Sequence, residues 1–328
     1  MKELIRKLTS VSSPSGREEP VRALIKEEIT KHADEIWEDK LGNLIAAKHG
    51  GKTKVLLAAH MDEIGVIVTD IDEQGFLRFS NVGGINPQRL VGQRARFANG
   101  TIGVFGAEKL EENQKLTLSK LYLDIGARSA EEARQKVSVG EIATFYHEFS
   151  DLGERIVAKA LDDRIGCAIL IEALKRVANP QNDLYCTFTV QEEVGLRGAR
   201  TAAFGIDPDL GIAIDVTGTG DTPEAERLAI KLGQGAAIKV KDNSLITHPM
   251  VKDLLTDLAT KNNIPYQFEV LPFGGTDSGA IQLTKAGVPA GVISIPCRYL
   301  HTPSEMVDLN DVEAAVRLVV AVMETKLD

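Results

Sequence analysis

Cysteine is scarce in this chain of 328 residues, and its three copies, Cys167, Cys186 and Cys297, are widely spaced within apolar sequence. An odd, scattered set excludes a disulfide framework and a thiolate zinc site, and fits reduced thiols in a core. Cys297 precedes His301 closely enough to be weighed as a ligand, but the core reading fits its apolar setting better. Aromatic residues make up only 5%, with Trp37 the sole tryptophan, which leaves little for a sugar-stacking groove. No apolar run approaches the length that crosses a bilayer. The opening MKELIRKLTS reads as an amphipathic helix, because Glu3, Arg6 and Lys7 interrupt any signal-peptide core. A surplus of positive charge is missing as well: the net charge of -9 argues against nucleic acid or an anionic membrane surface as the partner. Internal repeats and low-complexity tracts are also lacking. What remains is an ordinary globular composition, 43% hydrophobic and 26% charged, with length for about two domains. The expected location is the cytoplasm.

The pattern of apolar residues divides the chain. Leu4, Ile5, Leu8 and Val11 mark one helix face, and Val21, Leu24, Ile25 and Ile29 mark a second. Residues 35–38 and 43–48 read as a hairpin, and KVLLAA (54–59) as a buried strand ending at His60. From Val66 the texture changes to short strands with glycine turns (GVIVTDID, GFLRFSNVGG, RARFANGTIGVF, LYLDIG) and one charged helix over 129–136. Longer elements return at ERIVAKALDD. Host-like sequence on both sides predicts a small β-rich domain, residues 66–154, inserted into an α/β host made of 1–65 and 155–328. In the second host segment we expect helices over 164–177, 249–261 and 276–286. Strands are expected over 184–191, 210–216, 236–241, 266–271 and 289–295, with a final buried helix capped by Asn310.

Chemistry-bearing residues gather where these strands end. YCTFTV runs into the adjacent pair Glu192 and Glu193, with Gly195 beyond. Side chains alternate along an extended backbone, so neighbouring glutamates can take different tasks, one ligating a cation and the other addressing water or substrate. KVLLAA ends in His60-Met61-Asp62, KALDDRIG carries Asp162 and Asp163, Asp215 ends LGIAID, and His301 follows VISIPCRYL. Each has an ordinary reading alone: a solvated glutamate pair, a core histidine, an N-terminal aspartate pair on a helix, a turn aspartate. Together they place two imidazoles and several carboxylates at one rim of a sheet, where α/β proteins bind ligands. Such a rim stays ionised only with cation charge beside it, and nitrogen and oxygen donors without thiolate fit zinc, cobalt or manganese.

The segments HMDEIG (60–65), ALDDRIG (160–166), QEEVGLRGA (191–199), IDVTGTGDTP (214–223), GGTDSGA (274–280) and LHTPSE (300–305) resemble, in order and nearly end to end, the M42 metalloaminopeptidases of the TET type. This family is sometimes labelled glutamyl aminopeptidase or endoglucanase. The resemblance implies a zinc-peptidase-like host, a central mixed sheet flanked by helices, with a PDZ-like insert that serves assembly. It implies two divalent metal ions per subunit, zinc or cobalt. One would be held by His60 and Asp215, the other by Glu193 and His301, with Asp162 bridging both. Glu192 would be the general base or acid, with Asp62 behind His60 fixing its tautomer. A cis peptide between Asp162 and Asp163, peptide substrates with a free N-terminus, and a homo-oligomer, a dodecamer built from dimers, are further implications.

Chemically, two cations can acidify a shared water and polarise a scissile carbonyl, while Glu192 carries the proton to the departing amine. A related dinuclear amidohydrolase, such as a carboxypeptidase or deacylase, would share the metal set but differ in its insert and specificity loops. A glycoside hydrolase would need stacking aromatics, and a non-catalytic assembly protein would have no use for Glu192. His248 reads as a helix start, Thr276 and Asp277 as a helix N-terminus, and His32, His49 and His147 as surface residues. Arg197, Arg298 and Lys285 are candidates for holding an acidic substrate side chain.

Overall fold

The computed structural model describes residues 1–225 and 227–327. Two amphipathic helices, α1 (Lys2–Ser10) and α2 (Glu19–Ile29), precede β1 (Glu35–Glu38), β2 (Leu44–Lys48) and β3 (Lys54–His60). β1 and β2 form the expected hairpin, with Glu38 opposite Leu44. Six short strands then close on themselves: β4 (Gly65–Ile71), β5 (Leu77–Val82), β6 (Arg94–Phe97), β7 (Ile102–Ala107), β8 (Leu121–Asp124) and β9 (Ile142–Phe145), in the order β4-β5-β8-β7-β6-β9. Closure removes the sheet edges. The barrel has its own core, in which Phe79 and Phe145 both pack edge-on against Phe105. The helix within it, α3 (Ala130–Arg134), is shorter than its sequence pattern and is capped by Ser129, whose hydroxyl accepts the Glu132 N–H.

The chain then returns through β10 (Ser150–Asp151) and β11 (Arg155–Ala158) to α4 (Leu161–Arg176), β12 (Asp183–Thr189), α5 (Arg197–Ile206) and β13 (Leu210–Gly218). It ends with β14 (Ala236–Lys241), α6 (Pro249–Lys261), β15 (Tyr266–Val270), α7 (Asp277–Ile281), β16 (Ala290–Arg298), β17 (Glu305–Asp308) and α8 (Leu309–Met323). These strands join β1–β3 in one 11-stranded mixed sheet, ordered β1-β2-β12-β3-β13-β16-β17-β11-β10, with β14 and β15 branching from β16. The architecture is the expected α/β host. Its central strands are near-continuous apolar runs because both faces are covered. Along β3, Val55, Leu57 and Ala59 face the core beneath α1, α2, α4 and α8, while Leu56 and Ala58 face the smaller core beneath α5 and α7.

Two elements differ from the sequence pattern. The helix expected over 276–286 stops at Ile281, because Lys285 and Gly287 both take positive φ and turn the chain into β16. The cap of α8 is Asp308, whose carboxylate accepts the Asn310 N–H at 3.0 Å, so Asn310 lies inside the helix that it was expected to cap. Cys167, Cys186 and Cys297 are all free and buried. Among the described residues no helix is long and apolar enough to cross a membrane.

Candidate active site

Topology decides which residues meet. β3 runs parallel to both β12 and β13, and β13 runs parallel to β16. Two antiparallel steps, β16 to β17 and β17 to β11, bring β11 into the same direction. The C-terminal ends of five strands therefore open at one rim, where open α/β sheets bind ligands. His60 ends β3, Glu192 and Glu193 follow β12, and Asp215 lies in the last half of β13. His301 follows β16, and Asp162 follows β11 at the start of α4.

The rim residues converge. His60 Nε2 lies 3.0 Å from Asp162 Oδ1, 3.9 Å from Glu192 Oε2 and 4.0 Å from Asp215 Oδ1. His301 Nε2 lies 3.2 Å from Asp162 Oδ2 and 3.4 Å from Glu193 Oε1. The two oxygens of Asp162 thus face two different imidazoles. His60, Asp162 and Asp215 bring one donor atom each within 4.8 Å of one another, as do Asp162, Glu193 and His301. This donor set, imidazole and carboxylate without thiolate, fits a divalent cation of the zinc or cobalt type. The peptide bond between Asp162 and Asp163 is cis.

Electrostatics point the same way. Burial opposes charge on His60, yet hydrogen bonds to Asp162 and Asp62 outweigh it and carry the ring's pKa well above the ordinary value. Burial also opposes charge on Asp162, but bonds from His301 and His60 hold its carboxyl below the usual range. Neither Glu192 nor Asp215 has an imidazole within hydrogen-bond distance, since His60 Nε2 lies 3.9 and 4.0 Å away. Burial, reinforced by neighbouring carboxylates, drives both well above the ordinary value, and burial lifts Glu193 to about 7. These are strained charges that a cation would relieve.

Supporting contacts come from Asp62, expected from the resemblance, and from two residues whose roles the sequence did not disclose, Asp163 and Asp277. Asp62 does sit behind His60, but His60 Nδ1 is nearer to the Asp62 backbone carbonyl (3.1 Å) than to its carboxylate (3.4 Å). That carboxylate instead accepts the Ser15 hydroxyl at 2.6 Å and the backbone N–H groups of Glu192 and Glu193 at 3.0 and 3.2 Å. Asp163 accepts the His60 N–H at 3.1 Å. Asp277, read from sequence as a helix start, is buried and accepts the hydroxyl of Thr189, the residue paired with His60 across the sheet. Asp163 and Asp277 lay within quoted motifs, and only their burial in the fold distinguishes them from capping residues.

The rim opens into a cavity of about 840 Å³ lined by His60, Asp162, Glu192, Glu193, Asp215 and His301, with an apolar wall that includes Leu228 and Phe273. Of the three basic candidates, only Arg298 lines it, and Asp221 grips that guanidinium at 2.9 and 2.7 Å. Arg197 bonds Gln191, and Lys285 pairs with Asp207. His248 sits at the N-terminus of α6, beside a separate surface groove.

Comparison with known proteins agrees with this geometry. The sequence pattern of the M42 peptidases, described as M42 glutamyl aminopeptidase, matches residues 42–318. A protein of Acetivibrio thermocellus that carries a provisional aminopeptidase name is 53% identical, over 98% of this chain and 97% of its own. The structure of an aminopeptidase from the archaeon Desulfurococcus kamchatkensis superposes with a TM-score of 0.94 at 44% identity, covering 98% of this chain and 94% of that one. The TET1 peptidase of Pyrococcus horikoshii, described as able to assemble into a tetrahedron or a large octahedral shell, gives a TM-score of 0.88 at 37% identity, with 98% of each chain covered. Neither the carboxypeptidase or deacylase reading nor the glycosidase reading is favoured by these likenesses. With its sequence matched across most of its length and full-length relatives at such identity, the chain belongs to the M42 glutamyl aminopeptidase family, whose members are metal-dependent aminopeptidases.

Proposed function

We propose that this aminopeptidase removes the first residue of peptides with a free N-terminus at a centre for two divalent cations. His60, Asp162 and Asp215 would hold one, and Asp162, Glu193 and His301 the other. The observation that carries this reading is the Asp162 carboxylate, whose two oxygens each face a separate imidazole. Bound there, the cations would polarise the scissile carbonyl and make water a nucleophile near neutral pH. Glu192 is the residue left for proton transfer. It lines the cavity next to both ligand groups, and burial among carboxylates raises its pKa toward the range that a general base needs before it returns the proton to the leaving amine. Asp62 keeps Glu192 and Glu193 in register by holding both of their backbone N–H groups.

Glu192→Gln is the test. The variant should keep the metal content of the wild type and lose on the order of 10²–10⁴ in kcat on aminoacyl chromogenic substrates. N-acetylated peptides should not be cleaved by either protein. Near-wild-type turnover in the variant removes Glu192 from the mechanism, and cleavage of acetylated peptides removes the requirement for a free N-terminus.

The inserted barrel, residues 66–154, would be a PDZ-like assembly module, and the cytoplasmic protein a homo-oligomer, up to a dodecamer of twelve chains built from dimers. Apolar side chains on the barrel's outside, Val91, Ile102, Val104 and Val139, support this reading, since they are half exposed in the single chain. A native mass of one chain at working concentration would refute it.

A further inference from the structure

His301 occupies a backbone conformation that L-residues seldom adopt. Both it and Tyr299 have positive φ, 57° and 61°, a conformation that persists only where the surroundings enforce it. One buried side chain does so for His301. Glu305, 2% exposed at the first position of β17, accepts the His301 N–H on Oε1 at 2.8 Å. Its other oxygen, Oε2, accepts the Asp162 N–H at 3.0 Å. These two backbones are 139 residues apart in sequence and belong to different elements, and no other side chain bonds either amide among the described residues.

We infer that Glu305 is a positioning residue for the metal centre: one carboxylate clamps the backbones of two ligand residues, Asp162 and His301, and so sets their separation. The inference rests on the two-cation reading and deepens it. A purely structural glutamate would affect the fold without preference for either ligand group. Glu305 is placed differently. The group of Asp162, Glu193 and His301 draws two of its three ligands from backbones that Glu305 holds, whereas the group of His60, Asp162 and Asp215 draws only one. Loss of the clamp should therefore loosen the first group more than the second. Glutamine keeps the shape but offers one oxygen and one donor to two N–H groups, so one contact becomes a donor facing a donor.

Titration of metal-free protein with cobalt(II), followed by calorimetry and visible absorption, tests this, with near-ultraviolet circular dichroism reporting the fold. The wild type should take up two ions. Glu305→Gln and Glu305→Ala should weaken one binding step by about 10–100-fold, the usual effect of losing a contact that orients a ligand, and it should be the step that His301→Ala abolishes. Should alanine prevent folding, the glutamine variant carries the comparison. Folded variants that keep both wild-type affinities, or that lose the step His301→Ala leaves intact, overturn the role of Glu305 alone. A wild type that binds fewer than two ions overturns the two-cation reading, and this inference with it.

Discussion

At the scale of single residues, the site shows how a carboxylate's role follows from what reaches it. Asp221 illustrates this away from the crowded rim. Burial raises the cost of its charge, but Arg298, with help from Thr219 and the Leu232 N–H, more than compensates and pulls its pKa below the ordinary value of 3.8. A carboxyl depressed in the folded state adds stability wherever the unfolded chain is already ionised, and loses that contribution as the pH falls through its folded value. Asp221→Asn should therefore cost on the order of 1.5–3 kcal/mol at neutral pH, the worth of hydrogen bonds to a charged group. The gap from wild type should stay flat down to about pH 5 and narrow below about pH 4, where the unfolded carboxyl titrates. Urea denaturation across that range reads it, and a gap independent of pH would show that the ion pair contributes nothing. The same pairing explains why Arg298 could not be assigned from sequence: its position in the cavity wall was open, but its neutralising partner comes from a loop 77 residues earlier. The placement of His60, Glu193 and Asp215 at one rim was legible, because each lies near or just past the C-terminal end of an apolar strand. Glu305 was not, because it begins its strand, and only antiparallel pairing turns that beginning toward the rim.

At the scale of elements, the connection between β5 and β6 ties the barrel to the catalytic rim. A Cβ on Gly84 would lie 2.9 Å from His301 Nδ1, and one on Gly83, where φ is +78°, would lie 2.5 Å from Ile64 Cγ2 and 3.1 Å from Glu193 Oε2. Further along, the Arg89 guanidinium donates to the Leu300 carbonyl at 3.1 Å. The loop thus needs the room that glycine leaves. Gly84→Ala should displace the imidazole by a few tenths of an ångström and lower kcat on the order of tenfold, given that a 1 Å misplacement costs about 10²-fold, with little effect on unfolding. Gly83→Ala should in addition cost roughly 1–2 kcal/mol for its left-handed backbone. Steady-state kinetics beside denaturation curves separate the two, and unchanged kcat in Gly84→Ala would mean that the loop only covers the site. Sequence texture showed that short strands began near Val66. It could not show that they close into a barrel or that one of their loops touches His301, since both depend on pairing between distant segments.

At the scale of the whole molecule, the host carries a concentration of negative charge at one rim, while the barrel keeps a separate hydrophobic core. A cation bound only by the folded host stabilises that host by mass action, about 2.7 kcal/mol per site at a free concentration one hundred times Kd. Two such sites in a chain of this size correspond to a melting shift on the order of 10 °C. The sole tryptophan makes this visible for the host in particular. Trp37 lies in β1, packs edge-on against Tyr185 of β12, and so belongs to the large sheet, which contains none of the barrel strands. Its fluorescence should therefore report the melting of the large sheet. Chelator should lower that transition by about 10 °C and added zinc or cobalt should restore it, whereas the barrel, whose core contains no rim residue, should answer far less. Because the crowded rim is most unfavourable when its carboxylates are ionised, the shift should also be larger at pH 8 than at pH 6, as Glu193, lifted to about 7, loses its proton. A Trp37 transition indifferent to chelator would mean that the rim's charges are balanced without a bound cation.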